Sequence, residues 1–405
     1  MKYNFDEIID RKHTNSLNVE GWRDYIFQCG PEKVFPYADD EFVRMWVADM
    51  EFAVAPEIRE AIKQRVDRKI LGYTAISTAE YYQAFRQWCK ERYDWEFPQK
   101  ELLFSAGVIP ALYQLVEDLV KPCGGKVLTM TPAYGYFLHA CEYNDVELVT
   151  SPLKKLNGRF EIDFEDLAAK AADPQVKLLM LCNPHNPSGR IWTEDELKRV
   201  AAIAERHDLW IISDEIHCDL IRTGLAHIPM GKVMPDYEKL ITTMSASKTF
   251  NIAGLMFSDI IIRSAEERKR FAHRDKNFGA VNPLSVAAHQ AAYEHGSQWL
   301  EELKLYIDRN LTFVKEFLEK EIPDAVFEIP EATYFAWVDM SKVLPDVEDL
   351  PLFFANHAGV LLEGGDKLFV GNAKGYIRLN LAMPRVILET GLVRMAEAIK
   401  KYRVL

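Results

Sequence analysis

The stretch Leu240-Ile241-Thr242-Thr243-Met244-Ser245-Ala246-Ser247-Lys248-Thr249-Phe250-Asn251 changes character at its middle. Its first half is apolar and β-branched, as in a strand covered on both faces of a sheet. Its second half is small and hydroxylated around one lysine. A lysine at a strand end can reach into the crevice outside the carboxyl edge of a parallel sheet, where such sheets bind ligands. A solvated surface lysine is the plainer reading of position 248 by itself, so the neighbouring strand ends have to decide between the two.

Further apolar runs at 126–130, 176–182, 209–213 and 259–263 read as companion strands. Helices fit between such runs. Ser77-x-x-Glu80 precedes Tyr81, Ala84, Phe85 and Trp88, and Thr193-x-x-Glu196 precedes Leu197, Val200, Ala201 and Ala204. Both are capping-box patterns ahead of one-face helical spacing. The succession predicts an α/β domain with a mostly parallel sheet over residues 56–290. Residues 291–405 predict a smaller α+β domain, with a helix at 297–321, strands at 334–339 and 375–381, and a last helix at 384–402. Residues 1–55 read as an N-terminal arm packing with that small domain.

Composition bounds the function. The chain has 405 residues, 48% hydrophobic and 27% charged, with a formal net charge of −12. That size suits more than one domain. The acidic balance argues against nucleic acid and against an anionic membrane surface, and no apolar run approaches the roughly 20 residues of a membrane-spanning helix. Six cysteines without a Cys-x-x-Cys spacing point to reduced thiols rather than a disulfide or zinc framework. The opening Met1–Asp6 lacks a charged-then-apolar leader pattern, and the expected location is cytoplasmic.

Other strand ends carry chemistry of their own. Ser213-Asp214-Glu215-Ile216-His217-Cys218-Asp219 follows an apolar run. Three readings stand: a metal cluster of Asp214, His217 and Asp219, plain loop polarity, or an acid that keeps a heterocyclic nitrogen protonated. No second ligand cluster at zinc spacing supports the metal, and none is expected. Asn183-Pro184-His185-Asn186-Pro187-Ser188-Gly189-Arg190 is a rigid turn, or one in which Asn186 also donates to a cofactor oxygen. Ser105-Ala106-Gly107-Val108 leads into a helix from Pro110, and small residues there open backbone N–H groups to an anion. Tyr134 is either a core tyrosine or a ring that stacks on an aromatic ligand. In Tyr376-Ile377-Arg378-Leu379-Asn380 an arginine sits inside an apolar strand, where it needs a partner. An internal salt bridge and a substrate carboxylate, which the guanidinium fork binds bidentately, both suit it.

In this order, Gly107, Tyr134, Asn186-Pro-Ser-Gly, Asp214, Ser-x-Ser-Lys248 and Arg378 resemble the class I/II aminotransferase-like enzymes of pyridoxal 5′-phosphate (PLP) fold type I. Met45-Trp46-Val47-Ala48-Asp49-Met50-Glu51-Phe52, Leu71-Gly72-Tyr73-Thr74 and Asp214-Glu-Ile-His217 are similar, more narrowly, to the C–S lyase subgroup: cystathionine β-lyases of the maltose-regulon-modulator type. The resemblance implies a PLP domain with a seven-stranded sheet plus a small domain. It also implies β-elimination from cystathionine or cysteine conjugates, giving thiol, pyruvate and ammonia, and a homodimer with Tyr73 entering the neighbour's site.

By the same resemblance Lys248 is the Schiff-base lysine and Asp214 the partner of the pyridine nitrogen. Tyr134 stacks on the ring, Asn186 and His217 lie near its phenolic oxygen, and Gly107, Val108, Ser245, Ser247 and Tyr73 serve the phosphate. Arg378, with Asn186 and Asp49, meets the substrate. Met256 stands where many aminotransferases carry a phosphate-binding arginine, and His217 where many carry a tyrosine; the histidine favours lyase over transaminase. An aminotransferase on the same fold remains the alternative, and a regulatory protein partner is a further one.

Overall fold

Residues 2–156, 158–278 and 281–404 are described in the computed structural model. The chain divides into two compact units, one built from Val54–Glu301 with Glu331–Thr333, the other from the residues up to Ala53, Glu302–Pro330 and the residues from Tyr334 onward.

The first unit is organised by seven strands: β1 (Leu102–Ser105), β2 (Lys126–Thr131), β3 (Glu147–Pro152), β4 (Val176–Cys182), β5 (Trp210–Asp214), β6 (Leu240–Met244) and β7 (Ser258–Ile262). They form one sheet in the order β1-β7-β6-β5-β4-β2-β3. Only β7 runs against its neighbours β6 and β1; the pairs β6–β5, β5–β4, β4–β2 and β2–β3 are parallel. Strands buried on both faces are dominated by apolar residues, and β4, β5, β6 and β7 are buried almost throughout, with at most two polar residues each. β1 and β3 lie at the edges, and the sequence does not announce them. Leu102–Ser105 is too short to show a period, and Glu147–Pro152 is half-exposed, with Thr, Ser and Pro in its second half.

Helices cover the sheet. They include α1 (Ala79–Tyr93), α2 (Val108–Leu119), α3 (Glu194–Arg206) and α4 (Pro283–His295). Leu112, Leu115 and Val116 of α2 join Val127, Leu178, Met180, Ile212, Ile241 and Ile260 of the strands in one buried cluster. The capping box of α3 forms as expected: Glu196 N donates to Thr193 Oγ1 at 3.2 Å and Thr193 N to Glu196 Oε2 at 2.8 Å. The one expected at Ser77 does not. Thr78, one residue nearer the helix, takes the cap and accepts from Tyr81 N at 3.2 Å, which leaves Glu80 a position too early to reach back. Helix α2 begins at Val108 rather than Pro110, with Gly107 as its cap.

A long helix, α5 (Ser297–Glu321), carries the chain into the second unit. There β8 (Phe335–Asp339), β9 (Glu363–Gly364) and β10 (Tyr376–Asn380) form an antiparallel sheet in the order β8-β10-β9, and α6 (Arg385–Val404) ends the unit. Trp22, Ile26, Phe35, Phe42 and Trp46 from the start of the chain pack with Ala355 and Leu361, and Val43–Arg44 pairs in parallel with Val360–Leu361. No helix among the described residues is long and apolar enough to cross a membrane.

Candidate active site

Strand register places the site. Asp214 is the last residue of β5 and not, as expected, the first beyond it; the strand runs one residue further because Asp214 pairs with Cys182 of β4 and Thr243 of β6. Met244 closes β6, and the next residues make one helical turn, Ala246–Thr249, capped by Ser245 and carrying Lys248. Across β7, Met244 pairs with Asp259 and Ser105 with Ser258, so the Gly107 turn leaves the sheet at the same edge as Lys248. The Asn183–Gly189 turn leaves β4 beside Asp214, whose carbonyl accepts from Asn183 N at 2.9 Å. One sheet edge therefore collects Gly107, Tyr134, Asn186, Asp214, His217 and Lys248.

Asp214 is 6% exposed. Burial pushes its carboxyl from the ordinary 3.8 up to about 6, because a buried charge loses its hydration. Two long hydrogen bonds, from Ile216 N at 3.2 Å and Thr243 Oγ1 at 3.4 Å, oppose that only partly, and the nearby charge of Lys248 contributes a smaller downward pull. The carboxylate thus has room for a strong cationic donor.

Asn186 is buried, and its Oδ1 has no hydrogen-bond partner among the described residues. A carboxamide left so in the interior costs about 1–3 kcal/mol unless something else pairs with it. Gly107 has φ +146°, which only glycine adopts readily, and that backbone brings the first N–H groups of α2 to the edge. The first turn of α2 has no acidic residue to compete with an anion. Ser245 donates its proton to Phe257 O at 2.8 Å and caps Ser247 N at 3.1 Å, so Ser247 is the freer of the two serines. Met256 is half-exposed, with positive φ. Tyr134 is half-buried, its ring 5.2 Å from that of Tyr136. His217 is buried. These residues fit PLP: a buried acid for a ring nitrogen, a carboxamide whose NH2 can donate to a ring oxygen, an amine for an aldehyde, and backbone N–H groups with a hydroxyl for a phosphate.

Tyr73 stands apart. It lies in a segment without regular structure and is fully exposed, beside the exposed Ile70 and Leu71.

Arg378 and Asp49 belong to the second unit. Arg378, on β10, is 2% exposed. Its Nη2 donates to Trp46 O at 3.1 Å, its guanidinium lies 4.2 Å from the Phe335 ring centroid, and its Nε has no hydrogen-bond partner among the described residues. Asn380 hangs the 45–52 stretch on the same strand, donating to Val47 O at 2.7 Å and Asp49 O at 2.5 Å. Asp49 is itself engaged by Arg11 through Nη2 at 2.5 Å. Glu363 was not foreseen. It is the cross-strand partner of Arg378, and burial pushes it up to about 7 against the downward pull of Arg378. It sits in a two-residue strand, too short to show any periodicity.

Comparison with known proteins follows the same lines. The profile of the aminotransferase class I and II family matches residues 41–394. Cystathionine β-lyase PatB of Bacillus subtilis is 38% identical, over 88% of this chain and 92% of its own. Protein MalY of Escherichia coli is 30% identical, over 99% of this chain and all of its own. The crystal structure of a PLP-bound C–S lyase from Staphylococcus hominis superposes with a TM-score of 0.92 and 47% identity, covering 98% of each chain.

Proposed function

The chain belongs to the aminotransferase class I and II family, in its C–S lyase (cystathionine β-lyase) subgroup, and on that premise we propose that the residues at the sheet edge carry out β-elimination from sulfur amino acids. It is a PLP-dependent C–S lyase, cleaving cystathionine or cysteine conjugates to thiol, pyruvate and ammonia. The observation that carries the assignment of roles is the buried, under-bonded carboxylate of Asp214 one strand away from the turn of Lys248.

When bound, PLP supplies an electron sink for the carbanion formed at the substrate Cα. Asp214 holds the ring nitrogen in its protonated form. Lys248 would hold the cofactor at its aldehyde, and its amine would be placed to take the proton from the substrate Cα. Arg378 accepts the α-carboxylate on its unpaired edge and so selects which Cα bond faces the base. Asn186 pairs with the ring oxygen. Ser247 and the N–H groups after Gly107 bind the phosphate.

The working form is a homodimer. Tyr73 with Ile70 and Leu71 forms an exposed apolar stretch of the kind that marks an interface, and Tyr73 acts in the site of the neighbouring copy.

The test is a product assay with purified protein and cystathionine, without any keto acid. Pyruvate and free thiol are expected, together with a visible chromophore that borohydride abolishes. Lys248→Ala loses both while remaining folded. Turnover that depends strictly on a keto-acid acceptor makes the protein an aminotransferase instead.

A further inference from the structure

Beyond Asp214 the chain folds into turns before it leaves the sheet edge, with Cys218 N bonded to Glu215 O and Leu220 N to His217 O, both at 3.0 Å. Asp219 lies in these turns. It is 4% exposed and makes no ion pair among the described residues. Its carboxylate meets three neutral donors instead. Oδ2 accepts from Thr249 Oγ1 at 2.9 Å. Oδ1 accepts from Trp88 Nε1 at 3.1 Å and from the Tyr93 hydroxyl. Trp88 and Tyr93 belong to α1, and Thr249 follows Lys248 directly.

The pairing of β5 with β6 ends close to this point. Asp214 and Thr243 are its last partners, followed by one backbone bond from Glu215 N to Thr243 O at 2.9 Å. Lys248 lies beyond that reach. The Asp219–Thr249 hydrogen bond therefore ties the segment that carries Asp214 to the turn that carries Lys248. Both ends of a planar pyridine ring have to be met at once, the nitrogen by Asp214 and the aldehyde carbon by Lys248. Their separation is then a dimension the protein must hold.

Resting on the roles given above to Lys248 and Asp214, we infer that Asp219 is a positioning residue: through Thr249 it fixes the turn of Lys248 at the distance from Asp214 that the cofactor ring requires. The anchoring to α1 through Trp88 and Tyr93 keeps Asp219 itself from following the turn.

Thr249 is fully buried, and Thr249→Val keeps its shape while removing the hydroxyl. Two quantities are read: the rate at which cofactor-free protein regains the borohydride-sensitive visible chromophore on addition of PLP, and kcat and KM for cystathionine. Misplacement of a reacting group by a fraction of an ångström to an ångström costs about 10- to 100-fold. Both chromophore formation and kcat are expected to fall by that order in Thr249→Val, with KM changed less than about threefold and the cofactor-free protein melting as wild type does. Thr249→Ser, which keeps the hydroxyl, restores both rates. Should Thr249→Val fail to fold, the smaller Thr249→Ala carries the same expectation.

Wild-type chromophore formation and kcat in the valine variant, or a serine variant as slow as the valine one, overturns the inference. A wild-type protein that never forms the chromophore removes the role of Lys248 instead, and with it the ground of the inference.

Discussion

Replacing Asp214 by Asn should make the cofactor-free protein more stable at neutral pH while destroying its catalysis. The carboxyl is pushed from 3.8 to about 6 by burial, with only two long hydrogen bonds in compensation. A folded-state value above the unfolded one means that the folded protein holds the proton more tightly. Stability from this group is then full below the unfolded value and declines as pH rises towards the folded one. At about 1.4 kcal/mol per pH unit of difference, the decline comes to roughly 3 kcal/mol in all, of which a little under half falls between pH 5 and pH 7. Asn keeps an oxygen for Ile216 N and Thr243 Oγ1 but carries no charge, so its contribution is flat with pH. The assay is urea denaturation of both cofactor-free proteins across that range, read as wild type minus variant, which cancels every other titrating group. The variant should pull ahead as pH rises, and adding PLP should reverse the order by giving the wild-type carboxylate its cation. A difference that does not change with pH would refute the claim that Asp214 is a buried charge awaiting a partner.

Arg378→Lys keeps the charge and loses the fork. With the α-carboxylate held by one point charge, kcat/KM for cystathionine should drop about 10- to 100-fold, mostly in KM, while PLP content stays unchanged; an unchanged KM would mean that the unpaired Nε has no substrate to meet. Thr193→Ala removes the cap of α3, where Thr193 and Glu196 satisfy each other's backbone. It should cost about 1 kcal/mol in urea denaturation, and Thr193→Ser should recover most of it.

The parts of this protein that could be read from its sequence are those where one residue type is out of keeping with its immediate neighbours. Lys248 among small hydroxylated residues after a strand, Asp214 at the end of an apolar run and Arg378 inside another each break a local pattern, and each lies buried or half-buried at a strand or its end. Gly107 is legible for the same reason, since its φ admits little else. What stayed hidden depends on partners distant in the chain. Asp219 has the same local context whether it binds a metal, faces water or holds Thr249, and Trp88 and Tyr93 are brought to it only by the docking of α1. Glu363 lies beside Arg378 because β9 pairs with β10, and its two residues leave no trace of that pairing. The edge strands β1 and β3 were missed for different reasons: β1 is mostly buried but only four residues long, and half-exposed β3 needs no continuous apolar run.

The adjacent acids Asp214 and Glu215 show how partners sort function from structure where sequence does not. Both are buried at the end of β5. Glu215 accepts from Ser213 Oγ at 2.8 Å and Met230 N at 2.9 Å through one oxygen, and its other oxygen lies 2.8 Å from His227 Nε2. Its acceptor capacity is spent on holding the loop at 227–230 against the strand. Removing it would leave His227 and Met230 N without partners in the interior, a loss of stability that no ligand could restore. Asp214 has two hydrogen bonds, both at 3.2 Å or longer, and a displaced titration. A buried group with unused capacity is costly to the free protein and gains most when a ligand arrives with the complementary charge. Of two like residues one position apart, the under-bonded one is therefore the one kept for chemistry.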